Sequence, residues 1–288
     1  MKQVKKFFTL MAVIAISMTA AGGYGVSAAA QQTPEMFAAA HNSYSGDTPD
    51  SAWNDSLDRH FYNLELDFYP DSAHSRYTSP GYLNGKVKLF VRHLPVSDPG
   101  TLDISAYFDD LRQRFNSNNG SIYGDGKNLI LTLQPTAYNN ADAGEAAETL
   151  NAILEHHQSM LSTGVIGNNS SFAEGAVTVV FTGWSGPAEE YFQVRNNSNR
   201  ILRAFRDTEI GDTYLENVDD YFTGIPDADI FFRFLTAPWN VVENGYPLAE
   251  GNFSQEEEER LERILRLSTQ KGFRIRFYSL NGAEGPIY

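Results

Sequence analysis

No cysteine occurs among the 288 residues, which excludes disulfides and thiolate chemistry. A secreted chain of this length can do without disulfides, because its core is large enough. Basic residues are also scarce. Lysine and arginine total 22 against 36 acids, for a formal charge of −14 at pH 7. That balance argues against a nucleic-acid partner and against strong bulk attraction to anionic membranes. An anionic substrate would need a locally basic or metal-bearing pocket. The remaining acidity favours solubility. Beyond the N-terminus no apolar run could span a bilayer, and no repeat or low-complexity linker divides the chain.

The N-terminus has its own character. Lys2, Lys5 and Lys6 precede an uncharged, mostly apolar run from Phe7 to Ala20, and Ser27-Ala28-Ala29-Ala30 offers an A-x-A cleavage site. The run is short for an anchor. We read residues 1–30 as a signal peptide cleaved after Ala30, with a secreted or periplasmic product. An uncleaved N-terminal anchor is the competing reading. Residues 31–288 then form one domain, about the size of a single α/β barrel. A monomer is expected.

Hydrophobic periodicity predicts strands over Phe61–Phe68, Asn128–Gln134, Ala176–Phe181, Leu202–Arg206, Asp229–Leu235 and Phe273–Leu280. Met36–Ala40 is a short apolar run, and Lys86–His93 reads as a further extended segment. Helical spacing marks Asp103–Phe115 and Glu145–Leu161. Ser254 and Glu257 form a capping box ahead of Leu261, Ile264 and Leu265, and Gly272 stops that helix. Asp47–Asp58 and Asp71–Gly85 are turn-rich and read as loops. Strands alternating with amphipathic helices predict a parallel sheet. About seven barrel strands are legible, one short of a closed eight-stranded barrel, so the barrel is open, truncated or holds a strand too weak to read.

Two segments concentrate the chemistry. Ala40-His41-Asn42-Ser43-Tyr44 carries one histidine beside an amide. Asn63-Leu64-Glu65-Leu66-Asp67-Phe68 is followed by Val91-Arg92-His93. Two histidines can divide general-base and general-acid work near neutral pH. Asn63, Glu65 and Asp67 share one strand face. Carboxylates inside a barrel are costly unless they meet a cation, and at the C-terminal ends of barrel strands such residues read as active-site groups. The competing reading is an edge strand with Glu65 and Asp67 in water. His41 and His93 each follow an apolar run, although either could be a satisfied structural histidine. His156 and His157 fall on the polar side of their helix and read as exposed. Arg206, Arg233 and Arg276 sit on or at the end of predicted strands. They either clamp a phosphate at the barrel mouth or make outward salt bridges to helices. Trp184 and Tyr278 follow strands and either pack on a sugar or inositol ring or are rim aromatics.

His41-Asn42-Ser43-Tyr44 resembles the His-Asn-Thr-Tyr motif that opens the catalytic X region of calcium-dependent phosphoinositide-specific phospholipases C. Leu64-Glu65-Leu66-Asp67 resembles that region's Val-Glu-Leu-Asp strand. Val91-Arg92-His93 resembles its second histidine, and Leu131-Thr132-Leu133-Gln134 a later strand ending in Ser-Leu-Glu. Order and spacing hold over Ala38–Gln134. Further on, Arg276-Phe277-Tyr278 resembles the late strand of related phosphodiesterase-like barrels. The resemblance implies a distorted or incomplete TIM-type (β/α)8 barrel. It implies His41 and His93 as the acid–base pair, and Asn42, Glu65, Asp67 and Gln134 as ligands of Ca2+ or, as an alternative, Mg2+. The family's third carboxylate falls here at Gln134, an amide, so one negative charge is lost. Thr132 stands where glycerophosphodiesterases would place an acid. The implied activity is phospholipase-C-like cleavage of a phospholipid or glycerophosphodiester, with transient contact at a membrane surface. A glycerophosphodiester phosphodiesterase or sphingomyelinase-D-like enzyme, and a degenerate barrel that only binds, are the alternatives.

Overall fold

Apolar and polar residues alternate from Asn63 to Phe68, giving a strand with two unlike faces, and the layers of the molecule follow from that difference. The computed structural model describes residues 39–40, 43, 49–71, 75–92, 102–135, 140–166, 170–182, 200–210, 217–238, 241–242 and 254–278. All lie within one compact unit, Ala38–Tyr288. The expected signal segment lies outside the described residues, as do His41, Asn42, His93 and Trp184.

In chain order the elements are β1 (Ala39–Ala40), α1 (Pro49–Asp58), β2 (Asn63–Pro70), β3 (Leu89–Val91), α2 (Ile104–Ser117), β4 (Leu129–Pro135), α3 (Asn140–His156), β5 (Thr163–Ile166), β6 (Ser171–Ala173) and β7 (Val177–Phe181). They continue with β8 (Arg200–Leu202), β9 (Phe205–Glu209), α4 (Val218–Gly224), β10 (Phe232–Pro238), α5 (Gln255–Gln270) and β11 (Arg274–Tyr278). Seven strands, in the order β1-β2-β4-β7-β9-β10-β11, pair in parallel as a curled half-barrel. The α/β class and parallel sheet expected from the sequence are both present. β3 instead pairs antiparallel with the end of β2, Phe68 opposite Val91, and so is no barrel stave. β5, β6 and β8 make a separate small antiparallel sheet that periodicity did not reveal.

The outer face of the half-barrel carries the larger core. Leu64, Leu66, Phe68, Leu129, Leu131 and Leu133 are fully buried there, in one cluster with Trp53, Leu57, Tyr107, Leu111, Leu150 and Ile153 of α1, α2 and α3. Each such side chain contributes roughly 1.5–3 kcal/mol of burial, enough in sum to fix which face of β2 looks inward. The helices have the ends their sequences specify. Asp103 caps α2 by accepting from the Ser105 backbone N–H, and the Ser254/Glu257 capping box of α5 is formed on both sides. Gly272, at φ +82°, takes the left-handed conformation just past that helix.

Two expectations need correction. The stretch read as a loop over Asp47–Asp58 contains α1. Its apolar anchors are few, which hid it, but Trp53 packs edge-on against Tyr107 with ring centroids 4.9 Å apart and donates from Nε1 to Asp110 at 2.8 Å. His157, read as exposed, is 1% accessible. It follows the last turn of α3 and lies 5.7 Å from the Phe108 ring, tilted against it.

Burial, then the neighbouring charges of His156 and Arg112, lowers the His157 pKa from 6.5 to about 4. The exposed Asp109 carboxylate, 3.4 Å away, is the only acid paired with it among the described residues. The unfolded chain therefore binds more protons than the folded one between these two values, and stability falls as pH drops through that window. Urea titrations from pH 7 to pH 4 should show His157 contributing about 1.4 kcal/mol of lost stability per pH unit at most. His157→Leu should remove that component of the slope. An unchanged slope in the variant would mean that His157 is protonated in the folded state.

Candidate functional site

β2 presents Asn63, Glu65 and Asp67 to the concave side of the sheet because Leu64, Leu66 and Phe68 are claimed by the helices. Partners in parallel register share a face, so neighbouring strands complete the concave surface. Thr132 stands beside Glu65 and Gln134 beside Asp67. Phe205 stands beside Val180, Asp207 beside Phe234, and Glu209, Thr236 and Arg276 form one lateral row. Val180, Phe205 and Phe234 make an apolar cluster with Ile130. Past it toward the C-terminal strand ends lie Asp67, Gln134 and Asp207, so polarity rises toward the end where barrel sites form.

Arg276 and Glu65 meet inside this surface. The Arg276 Nη2 is 2.8 Å from Glu65 Oε2, with the two side chains only 13% and 4% exposed. β2 and β11 stand five positions apart in the sheet. In a flat sheet that is ~24 Å at ~4.8 Å per strand, far beyond the joint reach of the two side chains. The pair is thus direct evidence of the curl. Glu65, Asp67 and Asp207 are 3%, 2% and 3% exposed. The Asp207 Oδ2 has no hydrogen-bond partner among the described residues, although a buried carboxylate normally has one.

Other expected site residues go elsewhere. Arg206 shares register with Phe181 and Phe232, and Phe181 belongs to the outer core. Arg206 is therefore on the face opposite Glu65. Arg233 lies in the bulge between Phe232 and Phe234, at the N-terminal end of β10. Its guanidinium sits 4.1 Å over the Phe172 ring, a cation–π contact with the small sheet, and burial lowers its pKa. Neither is placed as a phosphate clamp alongside Arg276. Tyr278 is the last residue of β11, in register with Pro238. Asp207 was missed because the sequence reading ended that strand at Arg206. The alternation Phe205, Asp207, Glu209 was the available signal.

The segments carrying the two histidines are anchored at β2. Ala40 pairs with Leu64. The Ser43 backbone N–H donates to the Glu65 carbonyl at 3.0 Å, and the Glu65 N–H donates to Ser43 Oγ at 3.3 Å. Val91 pairs with Phe68. A surface groove of about 340 Å³ lies elsewhere, between Tyr82 and the Glu148, Asn151 and His156 side of α3. None of the expected site residues lines it.

The described donors do not fit a divalent cation. No group of three acids or histidines among the described residues could hold a metal. Glu65 is committed to a guanidinium. A doubly charged ion on Glu65 would lie about 5 Å from Arg276, a repulsion on the order of 6 kcal/mol at an effective dielectric constant near 20. No family model matches the chain, and no curated protein does.

Removing one partner of a buried pair exposes its worth. Arg276→Ala should cost about 3–5 kcal/mol in urea unfolding, because Glu65 is left buried without a countercharge. Glu65→Leu combined with Arg276→Met should recover most of that loss. A cost below about 1 kcal/mol for Arg276→Ala would instead show the pair behaving as a solvated surface bridge.

Proposed function

We propose that this chain is a secreted phosphoric diester hydrolase or lyase of the phospholipase-C-like kind. The signal segment 1–30 is removed, and residues 31–288 form a single distorted TIM-type barrel acting as a monomer. Its substrate is a phospholipid or glycerophosphodiester, met through transient contact with a membrane surface, with no nucleic acid involved. The observation that carries this reading is the buried Arg276–Glu65 pair on the concave face, next to the anchored residue Ser43 of the His41-Asn42-Ser43-Tyr44 motif.

In this reading one histidine of the His41 and His93 pair takes the proton from a neighbouring substrate hydroxyl, or from water, as it attacks phosphorus. The other protonates the departing oxygen. Arg276 faces the non-bridging oxygens and offsets the charge that builds on them. Trp184 and Tyr278 flank the head group. The motif resemblance implies a metal on Asn42, Glu65, Asp67 and Gln134, but Glu65 is committed to Arg276, and no step here is routed through a metal.

The products distinguish the readings. A water-soluble head-group phosphate marks phospholipase C chemistry. A free alcohol marks a glycerophosphodiester phosphodiesterase, and a cyclic ceramide phosphate a sphingomyelinase-D-like enzyme. The amide at Gln134 favours, as a second reading, a barrel that binds without turnover.

His41→Ala and His93→Ala should each lower kcat by on the order of 10²–10⁴, with the melting temperature little changed. The double variant should be scarcely slower than either single one, because the two act as a unit. Full turnover in both variants would overturn the assignment.

A further inference from the structure

We propose that Arg276 is the resident cation of this site, in the place that a divalent metal would otherwise fill, and that Glu65 is its positioning residue and no metal ligand. For its substrate the inference rests on the phosphodiesterase reading. For the cation it rests on geometry alone. The guanidinium is 2.8 Å from a buried carboxylate and is itself only 13% exposed. Next to Asp67 the lateral neighbour is Gln134, an amide, so the register position beside the Glu65–Asp67 pair brings no further negative charge. Those two observations are independent and point the same way. A calcium site gathers 6–8 oxygens and depends on acid count for affinity. Here one acid is neutralised and the next donor along brings no charge.

The guanidinium suits the task. It carries five N–H donors in a rigid fork. The Glu65 contact uses Nη2, so donors remain for the oxygens of a phosphate group. Glu65 fixes the plane of the fork before substrate arrives, which removes an ordering cost from binding.

Titration calorimetry and thermal melts of the full chain test this with CaCl2, MgCl2 and inorganic phosphate as probes. The wild-type protein should give no heat and no melting shift with either cation at millimolar concentration. It should bind phosphate whether or not chelator is present. Arg276→Gln should gain Ca2+, with a Kd on the order of 10⁻⁴–10⁻³ M and a melting temperature that climbs with calcium. It should also lose phosphate binding. Arg276→Lys keeps the charge and should gain no Ca2+, while phosphate binding weakens about tenfold for want of a bidentate fork. If Arg276→Gln does not fold, the wild-type and Arg276→Lys titrations decide. Calcium binding by the wild type that Glu65→Gln abolishes would overturn the proposal. So would a folded Arg276→Gln that takes up no calcium, or an Arg276→Lys that binds phosphate as tightly as the wild type. These readings need no turnover. Loss of the phosphodiesterase assignment, seen as no product from any diester, therefore leaves the cation assignment separately judged.

Discussion

The ion pair between Arg276 and Glu65 is the constraint on which the rest of the structure depends. It joins the second strand of the parallel sheet to its last, across the concave side. Two buried ions are tolerable only at close range and in good geometry, so the sheet must curl far enough to bring them together. Twist alone gives a parallel sheet some coil. The pair adds a fixed end-to-end distance. It is also the reason an acid can stand in the middle of β2, a strand that is otherwise buried along its whole length.

The outer face makes that arrangement affordable. Leu64, Leu66 and Phe68 drive β2 against α1, α2 and α3, and a slip of one residue would turn them inward and the acids outward. The hydrophobic layer therefore decides that Glu65 and Asp67 face the concave side. Deeper in, Val180, Phe205 and Phe234 exclude water from one end. Low dielectric beside a polar layer strengthens each charge interaction there. The protein's −14 charge repels anions at long range, so any attraction for one has to be local.

What the sequence made legible was whatever carries a period. The two-residue alternation of β2, the apolar run of β4 and β7, and the capping box of α5 all appear where they were read. The signals failed where tertiary contacts rather than periodicity decide. α1 has few apolar anchors and depends on Tyr107 and Asp110 of another helix. The small sheet of β5, β6 and β8 consists of three- and four-residue strands, too short to show a pattern. His157 sits just past a helix whose polar face looked solvated, and a neighbouring element covers it. For the arginines, position on a strand was legible and facing was not. Arg206 and Arg233 are each second in their strands, and one residue of register or a bulge changes which side they serve. Glu65 and Asp67 could be placed on one face from spacing alone. That Glu65 would be answered from the far end of the sheet could not, because sequence separation says nothing about closure.

The same closure links stability to chemistry. In β11, Arg274 and Arg276 share a face but not a task. Arg274 is half-exposed and bridges to Glu174 at 2.9 Å, where water screens the interaction and its worth is small. Arg276 is two residues further along, and its partner is buried. Desolvation raises both the cost of holding that charge and its effect on any anion that enters. A guanidinium already fixed by Glu65 would need little reorganisation to face an anion, as preorganised charges do. The contact that bends the sheet is thus also the one that aims its only deeply placed cation among the described concave-face residues, so neither role can be altered without the other.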